Sequence, residues 1–249
     1  HLMAEKIKFN LLSEKSFQTI CKQRLMSSNQ QLARIDYEKY FHGSKLTNIF
    51  NTFIKNIAKT DLIIVSDYGK GTIFNARKLI QSAKKLKKKI LIDPKGKDFT
   101  KYKGANLITP NKSEFENIMG KVGSKRDLAN KAKKMLEHLN LESLIVTLGS
   151  EGMYVLKKSN KKIIGDFINA YPQEVFDVSG AGDTTISALG AALSEGNDIF
   201  SAAEFANLAA SISVSKLGTS TVSIEEVTSL ETSKGNKEQV IVFTNGCFD

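Results

Sequence analysis

The 249-residue chain has no tryptophan, three prolines, three histidines and two cysteines. Cys21 and Cys247 stand at opposite ends of the chain and make no disulfide framework or Cys-based zinc site, so a reducing, cytoplasmic setting is expected. His1, His42 and His138 are scattered and match no metal-ligand or triad spacing. No apolar run approaches the ~20 residues needed to cross a bilayer; the longest are short segments such as Leu62-Ile63-Ile64-Val65. The opening His1-Leu2-Met3 looks like a cloning remnant ahead of a lysine-dotted stretch without a secretory h-region. Gly-x-x-x-x-Gly-Lys-Ser/Thr is missing, and so is Gly-x-Gly-x-x-Gly after a strand, which excludes a P-loop and a dinucleotide fingerprint.

What is present is an ordinary globular balance, 41% hydrophobic and 25% charged, long enough to bury a sizeable core. Lys and Arg number 36 against 26 Asp and Glu, a formal charge of +10. The cations cluster at Lys84, Lys85 and Lys87–Lys89, at Lys131, Lys133 and Lys134, and at Lys157, Lys158, Lys161 and Lys162. They are lysines rather than arginines, on separate elements, with little aromatic interleaving. Solvated faces of a basic protein are the expected reading, with neither nucleic acid nor a membrane as partner.

The rhythm along the chain predicts an α/β fold. Residues 23–37 read as two short strands about a polar turn at Ser27–Gln30, and 44–58 as an amphipathic helix. Apolar strands are expected at Leu62–Ser66, Ile90–Ile92, Asn106–Ile108 and Ser143–Thr147. Helices are expected at 74–88, 113–119 and 126–139. Strands buried on both faces and alternating with helices indicate a doubly wound, mostly parallel sheet with flanking helices. Ligands of such sheets bind outside the carboxyl ends of the strands. Those ends carry Asp67, Asp93-Pro94-Lys95, Asn111–Glu114 and Thr147–Gly149, so one site is expected there. A hairpin over 152–165 follows, then a strand at Glu174–Phe176, two alanine-rich helices at 181–195 and 199–217, and a last helical turn or two at 224–230. Residues 231–238 read as a polar linker and 239–243 as a fresh strand.

The sharpest motif is Asp177-Val178-Ser179-Gly180-Ala181-Gly182-Asp183-Thr184-Thr185, leading into a helix. A Gly-Ala-Gly turn lets backbone N–H groups converge on an anion, and the helix adds its positive N-terminal end. Asp183 is poorly suited to bind phosphate there and well suited to take a proton from an attacking hydroxyl. Those are the requirements of phosphoryl transfer to an alcohol. The structural alternative is that Asp177 and Ser179 cap a helix and the glycines permit tight packing. The full nine residues favour the functional reading.

Asp177–Asp183, with Asn111-Lys112-Ser113-Glu114, resembles carbohydrate kinases of the ribokinase (PfkB) family. Several further segments are similar to its heptose-7-phosphate kinase branch: Ser27–Leu32 with Arg34 and Asp36, Ser66–Gly71, Asp93–Gly96 and Lys216–Ser220. The closing Val242–Asp249 resembles the first strand of the adenylyltransferase domain fused to that kinase.

The resemblance implies a ribokinase-like fold over 4–230, with the N-terminal part of the family domain lacking and a truncated nucleotidyltransferase strand at 239–249. It implies ATP, Mg²⁺ and a sugar-phosphate substrate, with homodimerisation of the full-length parent. Asp183 would be the base, and the N–H groups of Gly180, Ala181 and Gly182 the anion hole. Asn111 and Glu114 would organise Mg²⁺. Thr147, Gly149 and Asn207 would lie along the nucleotide, with Lys95 reaching its phosphates. Asp177 and Ser179 match positions that can hold a monovalent cation. Each has a plainer reading: a turn and helix start for Asn111 and Glu114, a polar residue in an alanine-rich helix for Asn207, a solvated loop lysine for Lys95. A nucleotide-binding fragment without catalysis, or another sugar kinase of the family, is the alternative to heptose phosphate phosphorylation.

Overall fold

A computed structural model describes residues 7–11, 17–27, 30–41, 46–160 and 162–235. Two strands come first, β1 (Cys21–Ser27) and β2 (Gln30–Tyr37), paired antiparallel as a separate ribbon with a register shift between Leu25 and Met26. Helix α1 (Leu46–Ile57) follows. The chain then alternates through β3 (Leu62–Ser66), α2 (Ala76–Lys85), β4 (Lys89–Asp93), β5 (Leu107–Ile108), α3 (Lys112–Met119), α4 (Lys125–His138) and β6 (Ser143–Thr147). Strands β7 (Met153–Ser159) and β8 (Lys162–Ile168) form the expected hairpin, and helices α5 (Ala181–Ser194), α6 (Ile199–Val214) and α7 (Ile224–Gly235) complete the described chain.

The sheet order is β3-β4-β5-β6-β7-β8, and the pairs β3–β4, β4–β5 and β5–β6 are parallel. Parallel strands covered on both faces need apolar side chains throughout. Ile90, Leu91, Ile92, Leu107, Ile108, Leu144, Ile145 and Val146 are all at most 2% exposed. Each such side chain contributes roughly 1.5–3 kcal/mol by leaving water. Helix α2 packs on β4 and α4 on β6. The expected α/β architecture, a mostly parallel sheet with flanking helices, is the one observed.

The chain divides into two compact units. One holds residues up to Thr147 together with Leu156–Gly165; the other holds Leu148–Val155 and the chain from Asp166 onward. The second unit has its own small core, in which Leu208, Ala209 and Ile212 of α6 meet Val227 of α7, with Phe205 and Leu230 against them.

Three expectations need correction. Helix α2 covers 76–85 rather than 74–88. Asn75 caps its start by accepting from the Lys78 N–H, Lys87 turns left-handed at φ 55°, and the Lys88 N–H returns to the Ala83 carbonyl. Lys87 and Lys88 therefore lie in the turn and Lys89 opens β4, so only Lys84 and Lys85 sit in the last helical turn. Glu174–Phe176 is not a strand: Val175 and Phe176 are exposed, and the N–H groups of Phe176 and Asp177 donate to the Val214 carbonyl at the end of α6. That contact fixes the approach to the Asp177–Asp183 turn without any sheet partner. Finally, α7 runs to Gly235, so it takes in residues 231–235 of the segment that reads as a linker. Ser223 and Glu226 start it reciprocally, the Ser223 N–H donating to the Glu226 carboxylate and the Glu226 N–H to Ser223 Oγ. The strand at 239–243 and Cys247 lie outside the described residues.

Two glycines of one turn give a stability test. Gly149 and Gly152 have φ of 63° and 89°, and a Cβ on Gly152 would stand 2.0 Å from the Ile168 carbonyl oxygen. A Cβ on Gly149 would meet nothing within 4 Å. Gly149→Ala should cost about 1–2 kcal/mol for the left-handed backbone alone. Gly152→Ala should cost upwards of ~3 kcal/mol, since backbone must move as well. Urea unfolding measures both, and equal losses would show that the close approach at Gly152 is absent.

Candidate active site

The first unit gathers its polar residues where the parallel strands end. The Asp67 N–H donates to the Asp93 carbonyl at 3.0 Å, one residue past β3. Asn111 forms a parallel bridge with Thr147 at the end of β6, and the Thr147 N–H donates to the Pro110 carbonyl. The carboxyl edge of the sheet thus carries Asp67, Asp93, Asn111 and Thr147 together, as the strand pattern predicts.

Asn111 and Glu114 are a capping box at the start of α3. Asn111 Oδ1 accepts from the Glu114 N–H at 2.9 Å, and Glu114 Oε2 accepts from the Asn111 N–H at 3.0 Å. The helix-start reading of this pair is therefore correct as local structure. It also fixes the carboxylate, leaving Oε1 for a second partner. That partner is Lys95, whose Nζ lies 2.6 Å away. The Glu114 side chain is only 12% exposed while that of Lys95 is 52% exposed, so a mostly shielded carboxylate meets a solvated cation. Lys95 is no free loop lysine.

Behind them lies a cluster of which the strand pattern marks only Asp67. Asp67 is 4% exposed, and its carboxylate accepts from the Gly69 N–H at 2.7 Å, from Tyr102 Oη at 2.7 Å and from Lys101 Nζ at 2.8 Å. Burial, together with this carboxylate, pushes the Tyr102 phenol well above its ordinary value. Lys101 also sits 4.7 Å from the centre of the Tyr102 ring. Tyr102 and Lys101 escape the sequence reading because Thr100-Lys101-Tyr102-Lys103 looks like a solvated loop. The Asp67-x-Gly69 spacing is the one signal that could point there.

The second unit holds the glycine turn. Asp177 Oδ1 accepts from the Ser179 N–H at 2.8 Å, bending the chain into Gly180. Gly180 is left-handed, at φ 85°, and a Cβ there would come within 3.0 Å of Thr219 Cγ2. It is the N-cap of α5 and offers no side chain to the first turn, whereas α2, α3, α4 and α6 are each capped by a side chain. Ala181, Gly182 and Asp183 form that first turn, with Gly182 and Asp183 exposed. The Ala181 N–H donates to the Val178 carbonyl at 3.3 Å; a helix start without a side-chain cap presents its remaining N–H groups and a positive dipole to an anion. Asp183 and Thr184 also line an open groove of about 430 Å³ with Phe205, Ser220 and Val227.

Two further expected residues make local hydrogen bonds. Asn207 donates its side-chain N–H to the Asn169 carbonyl at 2.8 Å, tying α6 to the segment after β8. Gly149 begins a 3₁₀ turn directly after β6 and its partner at Gly152 returns an N–H to its carbonyl.

The profile of the pfkB family carbohydrate kinases matches residues 37–226. The chain belongs to that family. It is 42% identical over 264 residues to the bifunctional protein HldE of Shewanella piezotolerans, covering 97% of this chain and 54% of that protein. The bifunctional protein HldE of Pseudomonas entomophila is 42% identical over 252 residues, covering 93% and 52%. The chain spans about half the length of the curated relatives it matches. Among solved structures, phosphofructokinase-2 of Escherichia coli in complex with potassium superposes with a TM-score of 0.67 at 16% identity, covering 82% of this chain and 67% of that one. Arabidopsis thaliana ribokinase complexed with ribose and ATP gives 0.64 at 20% identity, covering 81% and 65%. These likenesses establish the ribokinase-like α/β fold. Membership makes the chain a carbohydrate-kinase domain by family. Among the described residues no helix is long and apolar enough to cross a membrane, and no three His, Cys, Asp or Glu side chains converge as a metal cluster.

The capping box separates stability from function at Asn111. Asn111→Ala should cost about 1 kcal/mol, and Asn111→Asp, which keeps the acceptor, a few tenths. Denaturant unfolding distinguishes the two; equal losses would mean that the cap is not formed.

Proposed function

We propose that this chain is the kinase part of a bifunctional heptose enzyme and phosphorylates D-glycero-D-manno-heptose 7-phosphate at O1. The product would be heptose 1,7-bisphosphate, in the route to ADP-heptose and the lipopolysaccharide core. The uncapped, left-handed Gly180 turn with Asp183 in the first turn of α5 carries the kinase reading. The identity of about 40% to HldE proteins over nearly the whole chain supports the branch.

In this reading Asp183 takes the proton from the anomeric hydroxyl as its oxygen attacks the γ-phosphorus of ATP and the bond to the β,γ-bridging oxygen breaks. The N–H groups of Gly180, Ala181 and Gly182 stabilise the charge on the transferring group. Lys95 meets the nucleotide phosphates, and Thr147, Gly149 and Asn207 lie along the nucleotide. One shielded carboxylate, Glu114, with the Asn111 amide beside it suits magnesium, which keeps several waters and leans on substrate phosphates. When bound, that ion supplies neutralisation of phosphate charge. Asp177 and Ser179, joined in one tight turn, fit the place of a monovalent cation. Homodimerisation belongs to the same reading: Leu25, Met26, Leu32 and Ile35 are exposed on the β1–β2 ribbon and offer apolar surface for it. The reading places the enzyme in the cytoplasm, with nucleic acid and membranes as bystanders.

Asp183→Asn should lower turnover roughly 10²–10⁴-fold while ATP still binds. Turnover retained by this variant would remove Asp183 as the base. In the same assay heptose 7-phosphate should be a better acceptor than ribose or fructose 6-phosphate. A preference for either of those sugars would reassign the branch and leave the kinase chemistry standing.

A further inference from the structure

Lys95 is bonded through its backbone to Tyr102 and lies beside the Gly69 turn, and both of these meet one buried carboxylate, Asp67. The Lys95 backbone N–H donates to Tyr102 Oη at 3.0 Å, and the Lys95 carbonyl lies 3.1 Å from the same hydroxyl. The hydroxyl has a single proton, and its shortest acceptor is Asp67 Oδ2 at 2.7 Å. On the other side, Asp67 Oδ1 accepts from the Gly69 N–H and closes a turn with Gly69 at φ 66°. A Cβ placed on Gly69 would lie 3.5 Å from Lys95 Cγ and 3.7 Å from its Cβ, in ordinary contact with the stem of the lysine. The backbone of Lys95 is thus fixed by Tyr102, and the Gly69 turn lies alongside the lysine stem. The ammonium that results stands on Glu114 Oε1.

We propose that Asp67 is a positioning residue which, through Tyr102 and the Gly69 turn, sets the Lys95 ammonium against Glu114 and so tunes the affinity for the nucleotide phosphates. The inference rests on the assignment of Lys95 to the nucleotide made above. Asp67 itself is too enclosed for substrate contact, and Lys101 balances its charge from the solvent side. A salt bridge between a half-exposed lysine and a shielded carboxylate is weak unless its geometry is imposed, because an unrestrained lysine has many rotamers to lose. The Asp67 cluster imposes it.

The test uses Tyr102→Phe, which keeps the ring and removes the hydroxyl, with Asp67→Asn and Lys95→Met beside it. Two readouts are needed: the dissociation constant of MgATP by calorimetry, and the rate at which acetic anhydride modifies Lys95, followed by mass spectrometry without ligand. Tyr102→Phe should acetylate at Lys95 several-fold faster, with Lys103 unchanged. It should bind MgATP roughly tenfold more weakly, while kcat at saturating ATP stays within about threefold. Asp67→Asn should move both readouts the same way; where it fails to fold, Tyr102→Phe carries the test. Acetylation and affinity both within about twofold of wild type in Tyr102→Phe would overturn the proposal. Lys95→Met binding MgATP as tightly as wild type would overturn it too, by removing the role of Lys95, and would leave the Asp183 assay to judge the kinase reading separately.

Discussion

Parallel strands buried on both faces tolerate almost no polar side chain along their length, and this one constraint arranges the first unit. Ile90–Ile92, Leu107–Ile108 and Leu144–Val146 have no functional group to offer, so chemistry is confined to the residues that follow each strand. Asp67 is the most demanding of these. A carboxylate that is 4% exposed must be met by donors, and here it collects a backbone N–H, a phenol and an ammonium. Satisfying it folds the segments after β3 and β4 against each other. Lys95 is placed by that folding, and through Lys95 the cluster reaches Glu114 and the start of α3.

The second unit solves a different problem. A helix normally starts with a side chain that satisfies its first N–H groups, as α2, α3, α4, α6 and α7 do. Helix α5 starts with glycine in a left-handed conformation, where a Cβ would press on Thr219 Cγ2. In the proposed reaction, a side-chain cap is forgone at the place where backbone donors would meet the phosphoryl group. Asp177 compensates from outside the helix by holding the turn through Ser179.

Much of this was legible in the residues. Leu62–Ser66 and Ser143–Thr147 match their expected strands residue for residue, because continuous apolar runs bounded by polar turns leave little ambiguity. The glycine turn and the Asn111–Glu114 pair could also be read, since each is a local pattern. What could not be read is long-range. Phe176 looks like strand until its N–H is seen to donate to the Val214 carbonyl, 38 residues on in the chain as numbered. Lys95 looks solvated until Glu114 is placed beside it, and Tyr102 looks like loop until Asp67 is. The lysine-rich helix end at 84–89 misleads for a subtler reason: helix period continues in the sequence beyond the point where Lys87 reverses the chain.

In the proposed function, phosphate chemistry belongs to the sheet edge and the α5 turn, and the +10 charge is solvated lysine elsewhere. Hydrogen exchange of the protein with and without MgATP tests this most directly. Protection should appear in peptides spanning Lys95–Glu114 and Asp177–Thr185, with none at 84–89, 131–134 or 157–162. Protection confined to those lysine clusters, with Asn111–Glu114 and Gly180–Asp183 unchanged, would contradict it.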